Sequence, residues 1–163
     1  MPETKNKKMC LQTKQGMSLI ELVVLIAIIG IMSAVSIASL VTAKRNSELD
    51  TAAEEVMAVL REAQNYSLTG KSISSTCISY MVDFTNGSGN YNLTNGCALN
   101  QNYTLKNGVV VFSAIDTTFV APHGDNSVPG SWRVITVSKG GTNIYVCINS
   151  AGLIKKSGNP FCT

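Results

Sequence analysis

The residues best suited to chemistry lie near the N-terminus, in the stretch Gly16-Met17-Ser18-Leu19-Ile20-Glu21. Glu21 precedes twenty-two consecutive residues without a formal charge, Leu22 to Ala43. A carboxylate in an apolar helix is costly unless it reaches the membrane interface or finds a partner. One interpretation places Glu21 among lipid headgroups. In the other, cleavage frees the amine of Met17, whose reference pKa of about 7.7 to 8.0 leaves it largely cationic and able to pair with Glu21.

The uncharged run predicts a single membrane helix. At about 1.5 Å per residue its length is roughly 33 Å, which is enough to cross a bilayer. A conventionally cleaved signal peptide is the main competitor, but its apolar core is usually only about 7 to 15 residues long. Ser36-Ile37-Ala38 is the stretch most similar to the small-x-small cleavage site of a signal peptide. Four lysines precede Gly16, and this bias places the N-terminus in the cytoplasm and the bulk of the chain outside.

Removal of residues 1–16 would leave a neutral chain. Residues 1–16 hold four of the thirteen basic residues and one of the ten acidic residues, so nine of each remain and the net charge falls from +3 to zero. The net positive charge of the full chain therefore comes from the leader, which weakens the case for a general nucleic-acid-binding surface.

Beyond Ala43 the pattern predicts that the helix continues, as an amphipathic helix, to Thr69. Apolar residues recur at three- and four-residue steps while charged residues take the other side, and Gly70 supplies a stop. No proline interrupts residues 17–69. The apolar positions are Leu49, Ala53, Val56, Leu60 and Ala63.

From residue 73 onward the chain predicts strands. The β-branched and aromatic runs cover residues 77–84, 109–115, 132–138 and 143–149, and hairpin turns are expected at 86–90 and 139–142. We expect an α+β fold in which one small antiparallel sheet packs on the apolar face of the long helix.

Four cysteines remain after the leader and its Cys10 are removed. They allow three disulfide connectivities, of which sequence proximity favours Cys77 with Cys97 and Cys147 with Cys162. Buried free thiols are the alternative, and the choice depends on whether the compartment is oxidising. A zinc site is not expected, because clustered C-x-x-C spacing is absent from the sequence.

The sequence offers little for an enzyme, and we expect neither a catalytic residue nor a cofactor. The single histidine, His123, lies in a loop-like Pro-His-Gly-Asp stretch without a nucleophile motif. Asp83, Asp116 and Asp125 are scattered and do not form a calcium loop or a pair of catalytic acids in sequence. They are expected to be turn and surface carboxylates.

The segment from Lys14 to Val24, KQGMSLIELVV, resembles the cleavage and methylation signal of type IV prepilins and type II secretion pseudopilins. The resemblance covers residues 14–43 and combines glycine at the cut, glutamate five residues into the mature chain and an otherwise uncharged helix. It implies a cleaved leader at 1–16, a membrane and polymerisation helix at 17–43 and a periplasmic or extracellular pilin-like domain at 44–163. Two departures are Met17, where the family usually has phenylalanine, and Ala38, where major pilins often have proline.

The resemblance also implies partners and roles for single residues. A membrane-embedded prepilin peptidase would cut after Gly16 and methylate the amine of Met17. Glu21 would then neutralise the N-terminus of a neighbouring subunit during filament assembly at an inner-membrane platform. The product would be a single-pass inner-membrane protein before assembly and part of a periplasmic pseudopilus or surface pilus afterwards.

The C-terminal stretch more loosely resembles the last hairpin of the GspH/FimT group of minor pilins. Some FimT-like members bind DNA through Gly-Arg-x-Arg at this turn. Here Gly152 matches, Leu153 replaces the first arginine and Lys155 stands at the second, followed by Lys156. Losing an arginine removes a bidentate phosphate donor, so a solvated lysine pair is favoured over a DNA contact.

Three functions remain open from the sequence. The preferred one is a structural minor pilin or pseudopilin subunit. The second is a DNA-binding minor pilin for DNA uptake, and the third is a monomeric, signal-anchored envelope protein that binds another ligand.

Overall fold

The computed structural model describes residues 16–71, 77–112, 116–126 and 132–162, and for residues 34–38 and 125–126 it describes the backbone alone. The leader residues 1–15 lie outside the described residues. The chain divides into two compact units, one up to Leu40 and one from Val41 onward.

Helix α1 comprises Leu19–Thr69. The carbonyl oxygen of Ser18 accepts hydrogen bonds from the backbone N–H groups of Glu21 and Leu22, at 3.0 and 3.2 Å, which makes Ser18 the N-terminal cap residue. The helix therefore begins two residues later than predicted, because serine favours the cap position, and Met17 lies before the helix. At the other end, the N–H groups of Gly70 and Lys71 both bond the carbonyl oxygen of Tyr66 and close the last turn.

The amphipathic half of α1 buries the face that the sequence predicts. All five apolar positions between Leu49 and Ala63 that define this face are completely buried. They enter one hydrophobic core with residues of the β-strands, including Tyr80, Phe119 and Ile135. The described part of the unit from Val41 onward is therefore α+β, with the helix supplying one side of the core.

Two antiparallel sheets replace the single sheet that the sequence predicts. The five-stranded sheet has the order β3-β2-β1-β5-β6, and the four-stranded sheet has the order β4-β7-β8-β9. The alternation of polar and apolar residues shows which side of a strand faces the core but not which strands pair. The division of the strands between two sheets therefore could not be predicted from the sequence. The strands are β1 Ser79–Phe84, β2 Asn90–Thr94, β3 Asn100–Thr104, β4 Val110–Phe112, β5 Thr117–Val120, β6 Asp125–Asn126, β7 Arg133–Lys139, β8 Thr142–Ile148 and β9 Ile154–Ser157.

The hairpin turns predicted from glycine-rich stretches lie where expected. Residues 85–89 join β1 to β2, and Gly140-Gly141 join β7 to β8 with Lys139 paired to Thr142. The expected strand over residues 109–115 is shorter, because β4 ends at Phe112 and residues 113–115 lie outside the described part.

Candidate functional site

The candidate processing site is the short segment before α1. Gly16, Met17 and Ser18 precede the helix, and all three residues are exposed. Met17 is 63% exposed, and a Cβ atom placed on Gly16 would have no neighbour within 4 Å. A non-helical, exposed peptide bond is what a protease requires of a substrate, and the Gly16–Met17 bond satisfies that requirement.

Glu21 lies in the first turn of α1, at the third helical position. A carboxylate there interacts favourably with the partial positive charge at a helix N-terminus. Within the part of the chain that the structure describes, the Glu21 side chain has neither a hydrogen bond nor an ion pair. The carboxylate is therefore free to accept an external cation, and its position in the first turn also suits the local helix.

The large apolar side chains on both sides of Glu21 are exposed. Leu19 is 81% exposed and Ile31 is 70% exposed, and the same holds for most leucine, isoleucine and valine residues described between them. Over the described residues, the structure contains no helix whose length and hydropathy meet the requirements for crossing a membrane.

A second feature of interest is the turn between β8 and β9, which contains Gly152. Gln64 of α1 donates through Nε2 to the carbonyl oxygen of Gly152 at 3.1 Å and, more weakly, to that of Gly124 at 3.5 Å. Gly152 has φ +76°, which favours glycine, and a Cβ there would overlap Gln64 and lie 3.1 Å from the Gly124 oxygen. One helical side chain thus holds a turn from each sheet.

The two lysines that the sequence offers as DNA contacts both have partners within the chain. Lys156 Nζ lies 2.7 Å from Asp50 Oδ1 and 2.8 Å from Glu54 Oε1. Two hydrogen bonds raise the pKa of Lys156 above its ordinary value. The bond to Asp50 has the larger effect and the bond to Glu54 the next. Lys155 Nζ lies 4.4 Å from the centroid of the Trp132 ring. Both lysines are therefore engaged by side chains of this chain.

Lys139, the last residue of β7 in the same sheet, also binds the helix. It forms an ion pair with Glu48, and this hydrogen bond lowers the pKa of the Glu48 carboxyl group. Asp50, Glu54 and Gln64 were not predicted as functional residues. They lie 60 to 106 residues before the groups they bind, and no local sequence signal marks such contacts.

Both disulfides join the pairs that sequence proximity favours. Cys77 pairs with Cys97 and Cys147 pairs with Cys162, with Cα atoms 6.3 and 5.8 Å apart. The second bond fastens the C-terminal segment to β8, and both of its cysteines are fully buried.

The single histidine and the three aspartates considered in the sequence lie in strands or turns of the five-stranded sheet or beside them. His123 is exposed in a turn, and the side chain of Asp125 lies outside the described residues. Asp83 lies close to Asp116. The hydrogen bond between the two carboxyl groups is the main reason why the pKa of Asp83 is raised, and burial and repulsion by the Asp116 charge add to it. Within the described ranges, no three His, Cys, Asp or Glu side chains are grouped to hold a metal ion.

No protein-family model, curated protein or solved structure matches this chain.

Proposed function

We propose that this chain is the precursor of a minor subunit of a type IV pilus or a type II secretion pseudopilus. One observation carries the proposal: the exposed Gly16–Met17 bond lies just before a helix whose Glu21, in the first turn, has no partner among the described residues and is followed by exposed apolar side chains. The order of these three features along the chain matches the order in which cleavage, charge pairing and assembly would use them.

Cleavage would turn the stretch from Gly16 to Glu21 from a peptidase substrate into the end of the subunit that takes part in assembly. A prepilin peptidase would hydrolyse the Gly16–Met17 bond, release residues 1–16 and methylate the new amine of Met17. A secondary amine remains basic, so the mature N-terminus is cationic at neutral pH. Because Glu21 has no cation among its described neighbours, it can receive the N-terminus of an adjacent subunit.

The exposed apolar side chains need a cover that the described part of this chain does not itself provide. Among the described residues from Leu19 to Met32, the large apolar groups are open to solvent. Lipid would cover them before assembly, and the helices of neighbouring subunits would cover them afterwards. The N-terminus would then lie in the cytoplasm and the unit from Val41 onward in the periplasm or at the cell surface.

The unit from Val41 onward suits an extracytoplasmic compartment. It contains two disulfides, and such bonds persist in oxidising compartments such as the periplasm. We do not propose DNA binding at the β8–β9 turn, because Lys156 is bound by two carboxylates and Lys155 by Trp132.

Leader removal is tested by substituting Gly16 with leucine. We expect the protein to keep its leader, because a bulky residue at the cut obstructs the peptidase, whereas Gly30→Ala should be processed normally. Gly30 is the matched control, since a Cβ there also has no neighbour within 4 Å. Intact mass spectrometry of the membrane fraction reads both variants, and normal processing of Gly16→Leu would refute prepilin-type cleavage.

Assembly is tested separately with Glu21→Ala. Cleavage should continue, because the cut bond is unchanged, but incorporation into sheared filaments should fall strongly. Asp50→Ala is the control for loss of an exposed helical carboxylate elsewhere on α1. Wild-type incorporation of Glu21→Ala would favour a monomeric, signal-anchored protein instead.

A further inference from the structure

A groove runs along α1 beside β3, the edge strand of the five-stranded sheet. Its larger depression has a volume of about 330 Å³ and is lined by Glu55, Val59 and Glu62 of the helix and by Tyr91 and Tyr103 of the sheet. A second depression of about 270 Å³ shares Glu55 and extends towards Ser47. The groove therefore passes on both sides of Glu55.

The aromatic wall of the groove is a stack of three rings. The centroid of Tyr91 lies 5.6 Å from that of Phe84 and 5.3 Å from that of Tyr103, so Tyr103 forms the end of the stack. The Tyr103 hydroxyl lies 2.8 Å from Gln101 Oε1 and 3.2 Å from Glu62 Oε2, and its single hydrogen is shared between these acceptors, while the Tyr66 hydroxyl donates to Glu62 Oε1. Burial, with the negative charge of Glu62 next, raises the pKa of Tyr103 to about 12. The wall therefore stays uncharged and fixed in position.

Glu55 lines both depressions and has no partner among the described residues, and Lys106, which also lines the second depression, does not pair with it. Glu55 is half-buried, and within the described ranges its carboxylate forms neither a hydrogen bond nor an ion pair. The adjacent Glu62 accepts from Tyr66, lies within hydrogen-bond distance of Tyr103 and carries a second negative charge. A partly desolvated carboxylate beside a tyrosine ring fits a guanidinium group, which can pair with the first and stack on the second.

This chain offers one arginine that could fill such a site. Arg45 donates to the carbonyl oxygen of Gly140, and Arg133 donates to that of Asp116. Arg61 is exposed and, among the described residues, has no hydrogen bond or ion pair. It follows Glu55 by six residues, so with about 3.6 residues per turn the two side chains point to different sides of the helix. Arg61 therefore cannot reach the Glu55 of its own helix.

We propose that the groove at Glu55 binds Arg61 of a second copy of this chain. The contact joins two different surfaces, so it is heterologous and can extend from copy to copy without closing. It goes beyond the proposed pilin function, because it uses neither the mature N-terminus nor Glu21.

The test measures self-association of the full chain in detergent by sedimentation velocity, at low and high salt. Glu55→Gln and Arg61→Gln should each weaken association by about tenfold or more at low salt, since they remove a close charge pair. Glu54→Gln is the control for loss of the neighbouring carboxylate, because Glu54 pairs with Lys156 on another side of the helix and its loss should leave association unchanged.

Charge exchange identifies the partner. Glu55→Arg and Arg61→Glu should each abolish association, and the double variant, or an equimolar mixture of the single variants, should restore it. Fluorescence of Trp132 reports whether each variant is folded. The proposal is overturned if the wild type does not self-associate, if Glu54→Gln has the same effect as Glu55→Gln, or if the exchange does not restore association.

The same measurements in a Glu21→Ala background separate this contact from assembly through the N-terminal segment. Association through Glu55 and Arg61 should persist there. Its loss in that background would show that the N-terminal segment, and not the groove, holds the copies together.

Discussion

The C-terminal disulfide provides a quantitative test of what stabilises the unit from Val41 onward. Cys147 and Cys162 close a loop with a sequence separation of 15. On the chain-entropy estimate, the cross-link stabilises the fold by about 3 kcal/mol, because it restricts the unfolded chain. Replacing both cysteines with alanine should lower the free energy of unfolding by that amount, and the melting temperature by roughly 10 °C.

The second disulfide gives the matched comparison. Cys77 and Cys97 have a sequence separation of 20, which changes the estimate by only a few tenths of a kcal/mol. The two pairs differ in exposure, since Cys97 is exposed while Cys147 and Cys162 are buried. If restriction of the unfolded chain dominates, the two double-alanine variants should lose similar stability.

Urea unfolding of the full chain in detergent, followed by fluorescence, measures both losses. Trp132 is the single tryptophan of the sequence and lies directly before β7. A loss below about 1 kcal/mol for the Cys147–Cys162 pair would contradict the chain-entropy estimate. A much larger loss for this pair than for Cys77–Cys97 would show that local packing around the buried bond dominates.

Two further predictions concern the unit from Val41 onward. Gly152→Ala should destabilise it by roughly 2 to 3 kcal/mol in the same urea assay, because a positive φ is strained for alanine and the Gln64 hydrogen bonds are lost. Gly158→Ala, with no neighbour within 4 Å, should change little, and equal losses would contradict this reasoning. Asp83→Asn should raise the melting temperature at neutral pH. The raised pKa of Asp83 means that its stabilising contribution is complete below about pH 3.9 and is lost as the pH rises through the folded-state value. The advantage of Asp83→Asn should therefore shrink in acid, and an advantage independent of pH would refute the role of Asp116.

The helix and four of the strands could be predicted because their signals are local. The spacing of Leu49, Val56 and Leu60 identifies the buried face of α1, and valine- and isoleucine-rich runs mark β7 and β8. By contrast, β2 and β3 were missed because asparagine, glutamine and threonine dominate them and resemble turn sequence. Their places in the sheet follow from the pairing of β2 with β1 and of β3 with β2, which a single strand does not encode.

The residues of the candidate site also fall into those marked by a local signal and those brought together only by the fold. Gly16, Met17 and Glu21 lie within six consecutive residues, so their order can be read directly from the chain. The contacts of Lys156 with Asp50 and Glu54 join residues more than a hundred positions apart. They depend on how the four-stranded sheet lies on α1, which the sequence pattern does not specify.

The most direct test of the central proposal is the intact mass of the wild-type protein purified from membranes. We predict a chain that begins at Met17, carries one methyl group on its amine and lacks residues 1–16. A protein that retains its lysine-rich leader, or one that begins at any other residue, would contradict the proposal that this chain is a prepilin-like precursor.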